Sequence, residues 1–311
     1  MSDNLPLVSI ITPSYNQAEF LEATILSVLN QDYPNIEYMI MDGGSTDHSV
    51  EIIRKYADRL AHWESGRDGG QANAVNKGLQ RATGSLLGWI NSDDVYLPGA
   101  ISRIVQTFQA APEIDVVYGQ VNRMDYTGKV VPTPVLPKDT IDISKATVIN
   151  ENLVNQPGSF WRRAIMEKVG LLNESLHYAM DHDYWIRLTL AGAQFRRIPD
   201  PPLVNFRLSA HSKTVSQQHK MALEHLKLLN QLAQDPDLPQ KLGLPAGEVR
   251  QRLRRAKALY HLYAFYGNVK AGRRLHALRW LSGALALRPT ILLDRRWRQL
   301  LRTRRQRTTT S

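Results

Sequence analysis

Apolar residues recur along the first 120 positions in two alternating rhythms. Short apolar runs at 7–11, 36–41, 61–64, 86–90 and 114–118 have the length and composition of strands, and between them 18–29, 47–56, 70–81 and 98–110 carry apolar residues at helical spacing. Strand and helix in strict alternation predict a mostly parallel, Rossmann-like sheet flanked by helices, an α/β fold. The rhythm then changes. Residues 121–125 and 129–131 flank Tyr126-Thr127-Gly128 as a hairpin, and Pro132, Pro134 and Pro137 mark a loop. Short strands are expected at 158–161 and 203–207, with a helix at 183–191. Everything after 216 has helical spacing, and no repeat of solenoid or propeller period is present. The expected organisation is one α/β domain over 1–215 and a helical extension over 216–311.

Several of these strands end in chemistry. The run Leu86-Leu87-Gly88-Trp89-Ile90 passes abruptly into Asn91-Ser92-Asp93-Asp94, at the carboxyl edge where open α/β sheets bind ligands. Adjacent hard oxygen ligands suit Mg²⁺ or Mn²⁺, ions that also hold substrate phosphates. The alternative is a polar turn that caps the helix near Pro98. Thr12-Pro13-Ser14-Tyr15-Asn16 leaves the first strand in a turn that can lay Pro13 or Tyr15 against a flat base, or simply turn. Asp42 ends the second strand before Gly43-Gly44, where its carboxylate can accept from a base imide or a ribose hydroxyl, while Thr46 and Asp47 suit helix capping. Asp68-Gly69-Gly70-Gln71 opens a helix carrying Asn73, Asn76 and Lys77, a helix start that favours a diphosphate or is merely polar. In Met180-Asp181-His182-Asp183-Tyr184-Trp185, the two carboxylates stand at a helix start. There they serve either as caps or as a general base toward an acceptor hydroxyl.

Composition narrows the setting. At 311 residues and 43% hydrophobic content the chain can build a full core plus an appendage. It has no cysteine, which excludes disulfides, zinc–thiolate and iron–sulfur sites and catalytic thiols, and fits a cytoplasmic protein. With no 18-residue apolar stretch and no basic-then-apolar leader, neither a membrane span nor a signal peptide is expected. Charge is uneven: residues 220–311 hold 20 Lys and Arg against 5 acids, although 1–219 is mildly acidic. Zinc-finger, basic-zipper and RNA-recognition signatures are lacking, so nucleic acid is not the expected partner. Leu275, Leu278, Trp280 and Leu281 among basic residues instead fit a helix lying on anionic lipid, on the inner face of the cytoplasmic membrane. The competing expectation is a helical cap with a solvated basic face.

Taken together, the motifs 8–16, 42–47, 68–78, 89–94 and 181–187 resemble the family 2 glycosyltransferases, inverting nucleotide-sugar enzymes of GT-A fold common in bacterial cell-surface polysaccharide synthesis. The resemblance covers 6–215. It implies transfer of a sugar from a nucleotide diphosphate sugar, usually UDP-linked, to an acceptor hydroxyl on a glycan or lipid-linked acceptor. It also implies roles: Pro13 and Tyr15 line the nucleoside pocket, Asp42 binds the base, and Gln71, Asn76, Lys77, Asn91 and Asp94 attend the diphosphate. Asp93 and Asp94, with His211 as a third ligand, would hold Mg²⁺ or Mn²⁺, and Asn91 and Asp93 occupy the two ends of the family's D-x-D motif. Asp181 would be the base and Asp183 its support or an acceptor contact, while 156–161 would meet donor sugar or acceptor, with Trp161 stacked on a sugar face. Two positions depart from the family. Asn91 replaces the commoner first aspartate, which removes a charge from the metal site, and Met180 stands where glutamate is usual. The rival expectation is a non-catalytic nucleotide-sugar-binding protein of the same fold; the presence of Asp42, Asp93, Asp94 and Asp181 together argues against it.

Overall fold

The computed structural model describes residues 5–131, 143, 147–150, 152–208 and 216–293. The chain divides into two compact units, Met1–Val148 with Asn152–Ala210, and Ile149–Glu151 with His211–Ser311.

The first unit alternates as its sequence rhythm predicts. In chain order it comprises β1 (Val8–Ser14), α1 (Ala18–Leu29), β2 (Ile36–Asp42), α2 (Ser49–Lys55), β3 (His62–Ser65), α3 (Gln71–Arg81) and β4 (Leu86–Trp89). There follow β5 (Val95–Tyr96), α4 (Ala100–Ala110), β6 (Val116–Tyr118), β7 (Val121–Met124), β8 (Val130–Val131), β9 (Ser159–Arg162), α5 (Arg163–Val169), α6 (Met180–Leu190), β10 (Phe195–Arg197) and β11 (Val204–Arg207). Among the described residues, seven strands form a sheet in the order β10-β6-β9-β4-β1-β2-β3. β1 lies between β2 and β4, parallel to both and buried at every position, so its polar Ser9 and Thr12 find partners inside the fold in Glu37 and Tyr38. The one reversal is β9, antiparallel to β4 and β6. Gly88 makes that pairing fit: a Cβ there would stand 2.6 Å from the Phe160 ring.

A second, smaller sheet orders β5-β11-β7-β8. The hairpin at 121–131 belongs to it, as does the strand expected at 203–207. The two-residue β5 and the polar β10, Phe195-Arg196-Arg197, have no apolar run to announce them.

Behind the end of β4 sits an aromatic cluster. Trp89 stacks on Trp185 of α6 at 6.0 Å and 8°, and meets Trp161 of β9 edge-on at 5.4 Å. All three indoles are fully buried. Burial of rings this large dominates local energetics, so the end of β4 and the start of α6 are fixed against one another.

The second unit is helical over its described residues: α7 (Gln218–Ala233), α8 (Leu238–Leu242), α9 (Ala246–Lys270) and α10 (Arg274–Leu287), then a 3-10 turn at Pro289–Leu293. Ala258, Leu262, Ala284 and Ile291 form its buried cluster, with Leu281 and Leu285 packed on it, while Leu275 and Leu278 stay exposed at 83% and 59%. One face of this stretch packs within the unit, and Leu275 and Leu278 remain on its surface.

Candidate active site

The residues that follow β4 are held by an amide network. Asn91 Oδ1 accepts from Gln71 Nε2 at 2.8 Å, and Asn91 Nδ2 donates to Gln156 Oε1 at 3.2 Å and to Asp94 Oδ2 at 3.3 Å. Gln156 in turn donates to the Trp89 carbonyl at 2.8 Å. Asp94 is fully enclosed, and its other oxygen accepts the Arg207 backbone N–H at 3.0 Å. The Arg207 guanidinium donates to the carbonyls of Asp93, Asp125 and Tyr126 at 3.1, 3.1 and 3.0 Å and lies over Phe20. It stitches the strand-end turn to the second sheet.

The two neighbouring carboxylates differ sharply. Burial pushes Asp94 well above the usual carboxylate range, and the charge of Asp93 adds to it. Asp93 is also raised by burial, but it is only half-buried, and among the described residues only its own N–H donates to its carboxylate. Asp93 therefore presents the unused oxygens. A hard divalent cation fits there, since Mg²⁺ typically takes one or two carboxylates and leaves the remaining positions to phosphate and water. Among the described residues no three acidic or imidazole side chains gather as a ligand set; His211 lies outside the described residues.

Beside this turn, the loops after β1 and β2 are laced together. The Asp42 carboxylate accepts from Gly44 N, Ser45 N, Ser45 Oγ and Ser65 Oγ at 2.5–3.1 Å. Gly44 meets it with φ +81, a conformation that favours glycine. Three of these donors reach Oδ2 and one reaches Oδ1, so Asp42 orders its own loop and Oδ1 keeps acceptor capacity. Asp47 accepts the N–H of Ser49 at one oxygen and that of Ala18 at the other, both 3.0 Å, and so caps α2 and α1 together. Burial opposes its ionisation, yet these hydrogen bonds hold it below the usual range. Pro13 is buried inside β1, while Tyr15 is 61% exposed where the strand ends.

Of the amides on α3, Gln71 reaches the strand-end turn, while Asn73 and Asn76 bond elsewhere. Asn76 is buried and bonds both the N–H and the carbonyl of Leu172 at 2.9 Å, and it shares Glu174 with Asn73. Lys77 pairs with Glu64 at 3.2 Å. Of the expected diphosphate group, Gln71, Asn91 and Asp94 come together; Asn76 and Lys77 are committed to the scaffold. Hydrogen bonds from Asn76 and Asn73 hold the Glu174 carboxyl below its ordinary value of 4.5. A depressed folded value contributes stability above the unfolded one that is lost as pH falls through it. The stability difference between wild type and Glu174→Gln, measured by urea unfolding, should accordingly shrink as pH drops from 7 past about 4.5.

On the first turn of α6, Asp181 accepts from Asn152 Nδ2 and from the His182 N–H, each at 2.7 Å. Asp183 pairs with Arg187 at 2.8 Å, and that guanidinium continues to the carbonyls of Val169 and Leu171, bracing α6 against the end of α5. Trp161, expected on a sugar face, is instead enclosed in the core by Trp89, Tyr184 and Trp185.

Residues 9–170 match the model of Glycosyl transferase family 2, more than half of the chain. The chain belongs to that family. An uncharacterized glycosyltransferase of Rickettsia prowazekii is 30% identical over 187 residues, 58% of each chain, so the match spans little more than half the length of such relatives. The O-antigen biosynthesis protein RfbC of Myxococcus xanthus is 28% identical over 63% of this chain and 15% of that protein. Among solved structures, the mannosyltransferase PcManGT of Pyrobaculum calidifontis in complex with GDP-Man and Mn²⁺ superimposes with TM-score 0.63 at 18% identity, covering 96% of this chain and 84% of that one. S. aureus TarS 1-349 in complex with UDP-GlcNAc gives TM-score 0.56 at 16% identity over 91% of each. These likenesses establish the GT-A fold.

Within that family frame, two residues that the sequence motifs do not single out hold the site: Arg207 and Asn152. Arg207 ends a short strand and carries no spacing signal. Asn152 stands in a stretch whose sequence reads only as loop.

Proposed function

We propose that the chain is an inverting glycosyltransferase that moves a sugar from a nucleoside diphosphate to an acceptor hydroxyl, with residues 1–215 catalytic and 216–311 a basic extension. The observation that carries this reading is the Trp89–Trp185 stack at 6.0 Å. It couples the strand end bearing Asp93 to the helix bearing Asp181, so a carboxylate for the donor side and one for the acceptor side are held by one rigid core.

In the reaction, the acceptor oxygen attacks the anomeric carbon as the bond to the diphosphate oxygen breaks, and Asp181 takes the hydroxyl proton. Asp93, with Asp94 behind it, would hold Mg²⁺ or Mn²⁺, which would supply charge compensation for the leaving diphosphate. Gln71 and Asn91 keep the turn in place beside the diphosphate, and Tyr15 provides a flat, exposed surface for the base next to the loop that Asp42 orders. A uridine diphosphate sugar is the favoured donor, in line with the UDP-GlcNAc bound by TarS; PcManGT, with GDP-Man, marks the other base to test.

RfbC's name places one relative in O-antigen synthesis, and a cell-surface glycan or its lipid-linked precursor is the acceptor class we infer. Among the described residues no helix is long and apolar enough to cross a membrane. Between residues 249 and 293 there are ten Lys and Arg and no acid, and with Leu275 and Leu278 exposed this composition supports peripheral contact with anionic lipid on the cytoplasmic face.

A panel of nucleotide sugars incubated with the protein and Mn²⁺ tests the reading. Slow hydrolysis of one donor, suppressed by EDTA, is expected. A protein that binds a donor but never cleaves it would be the non-catalytic relative instead.

A further inference from the structure

We propose that Asn152 is a positioning residue for the base, fixing the direction and the charge state of the Asp181 carboxylate. The inference rests on Asp181 being that base.

Asn152 and Asp181 are 29 positions apart, and the Nδ2–Oδ2 bond joining them is 2.7 Å. The other oxygen of Asp181 is held at 2.7 Å by the N–H of His182. Each oxygen of the carboxylate thus has a donor of its own, one from the helix backbone and one from a side chain brought from elsewhere in the chain. Two such anchors restrict rotation about the Cβ–Cγ bond.

The far end of the same amide supplies the second observation. Asn152 Oδ1 is enclosed and has no hydrogen-bond partner among the described residues. An enclosed acceptor left unpaired costs about 1–3 kcal/mol, and buried polar atoms are nearly always paired, so an exception calls for a reason. Turning the amide over would set its oxygen against the Asp181 carboxylate. The orientation with the orphan carbonyl is therefore the one that serves Asp181. A side chain present only for packing would gain nothing from it.

The consequence for catalysis follows from the proton's path. As the acceptor oxygen bonds to the anomeric carbon and the bond to the diphosphate oxygen breaks, the acceptor proton passes to a carboxylate oxygen. That oxygen must be ionised and correctly aimed. A hydrogen bond donated to the charged form favours ionisation, and misplacement of a reacting group by about 1 Å can cost on the order of 100-fold. Asn152 supplies both conditions from one nitrogen.

The test uses the full chain and hydrolysis of the donor sugar as readout, since water then replaces the acceptor and the same base must deprotonate it. Asn152→Ala should lower kcat on the order of 10- to 100-fold, leave the Kd for the nucleoside diphosphate unchanged, and move the acidic limb of the rate profile to higher pH. Asn152→Ser, which restores a donor, should recover part of the rate. Asn152→Asp, which sets one carboxylate against another, should move the limb furthest. Wild-type kcat with an unmoved limb in Asn152→Ala overturns the proposal, and so does a lowered Tm with no change in the limb, which marks a purely structural role. Asp181→Asn is the control: if it keeps turnover, the base assignment fails; if it is inactive while Asn152→Ala behaves as wild type, the role of Asn152 alone is refuted.

Discussion

Asp181→Asn should reduce transfer by about 10²–10⁴-fold, the contribution expected of a positioned base, while leaving nucleotide affinity unchanged. The substitution keeps the size and shape of the side chain and removes its basicity. Because Asp181 accepts rather than donates in its contacts with Asn152 and the His182 N–H, the new amide can keep those bonds through its carbonyl oxygen at one of the two. The loss should therefore fall on kcat. Parallel measurement of donor Kd by calorimetry and of turnover separates the two effects, and a variant retaining most of its turnover would remove Asp181 from the proton chemistry.

Replacement of Arg207 by Met should have the largest effect on stability. The guanidinium serves three backbone carbonyls from two separate segments, and its charge offsets the enclosed carboxyl of Asp94 and the half-buried one of Asp93. Removing one partner from a buried charged group typically costs about 3–5 kcal/mol, because the remaining charge is left uncompensated. Unfolding in urea should show a loss of this size. Arg207→Lys, which keeps the charge but cannot fork to three carbonyls, should fall between wild type and Met. A change below about 1 kcal/mol in the Met variant would show that the strand-end turn is held by something other than Arg207.

Much of the fold was written in the spacing of apolar residues. The helix expected at 18–29 is α1 residue for residue, and the runs at 36–41 and 86–90 are β2 and β4 to within a position. These elements are long, or buried on both sides, so one period dominates their sequence. β5 and β10 were invisible because two or three residues carry no period. The antiparallel course of β9 depends on which neighbours it meets, and no local signal encodes that choice.

For the candidate site, sequence motifs locate the segments, and the structure adds the partner of each side chain. Asn91, Asp94 and Gln71 do meet, yet only the structure shows that Asn91 faces Asp94 with its NH₂. An aspartate there would set two carboxylates against each other, which gives a physical reason for the amide at this position. Asn76, Lys77 and Asp183 carry the right chemistry at the right spacing, but each is bound to a scaffold partner, Leu172, Glu64 and Arg187, that lies far away in sequence or needs rotamer information to foresee. Trp161 illustrates the same ambiguity for aromatic residues, since a ring that can stack on sugar can equally fill a core.

The most direct test of the account is the thermal shift produced by UDP and by GDP, with and without Mn²⁺, in wild type and in Asp93→Asn. One diphosphate should raise Tm in the presence of Mn²⁺, EDTA should remove most of the shift, and Asp93→Asn should abolish the metal-dependent part without lowering the metal-free Tm. A diphosphate shift that is identical in Asp93→Asn, or no shift with either nucleotide, would contradict the account.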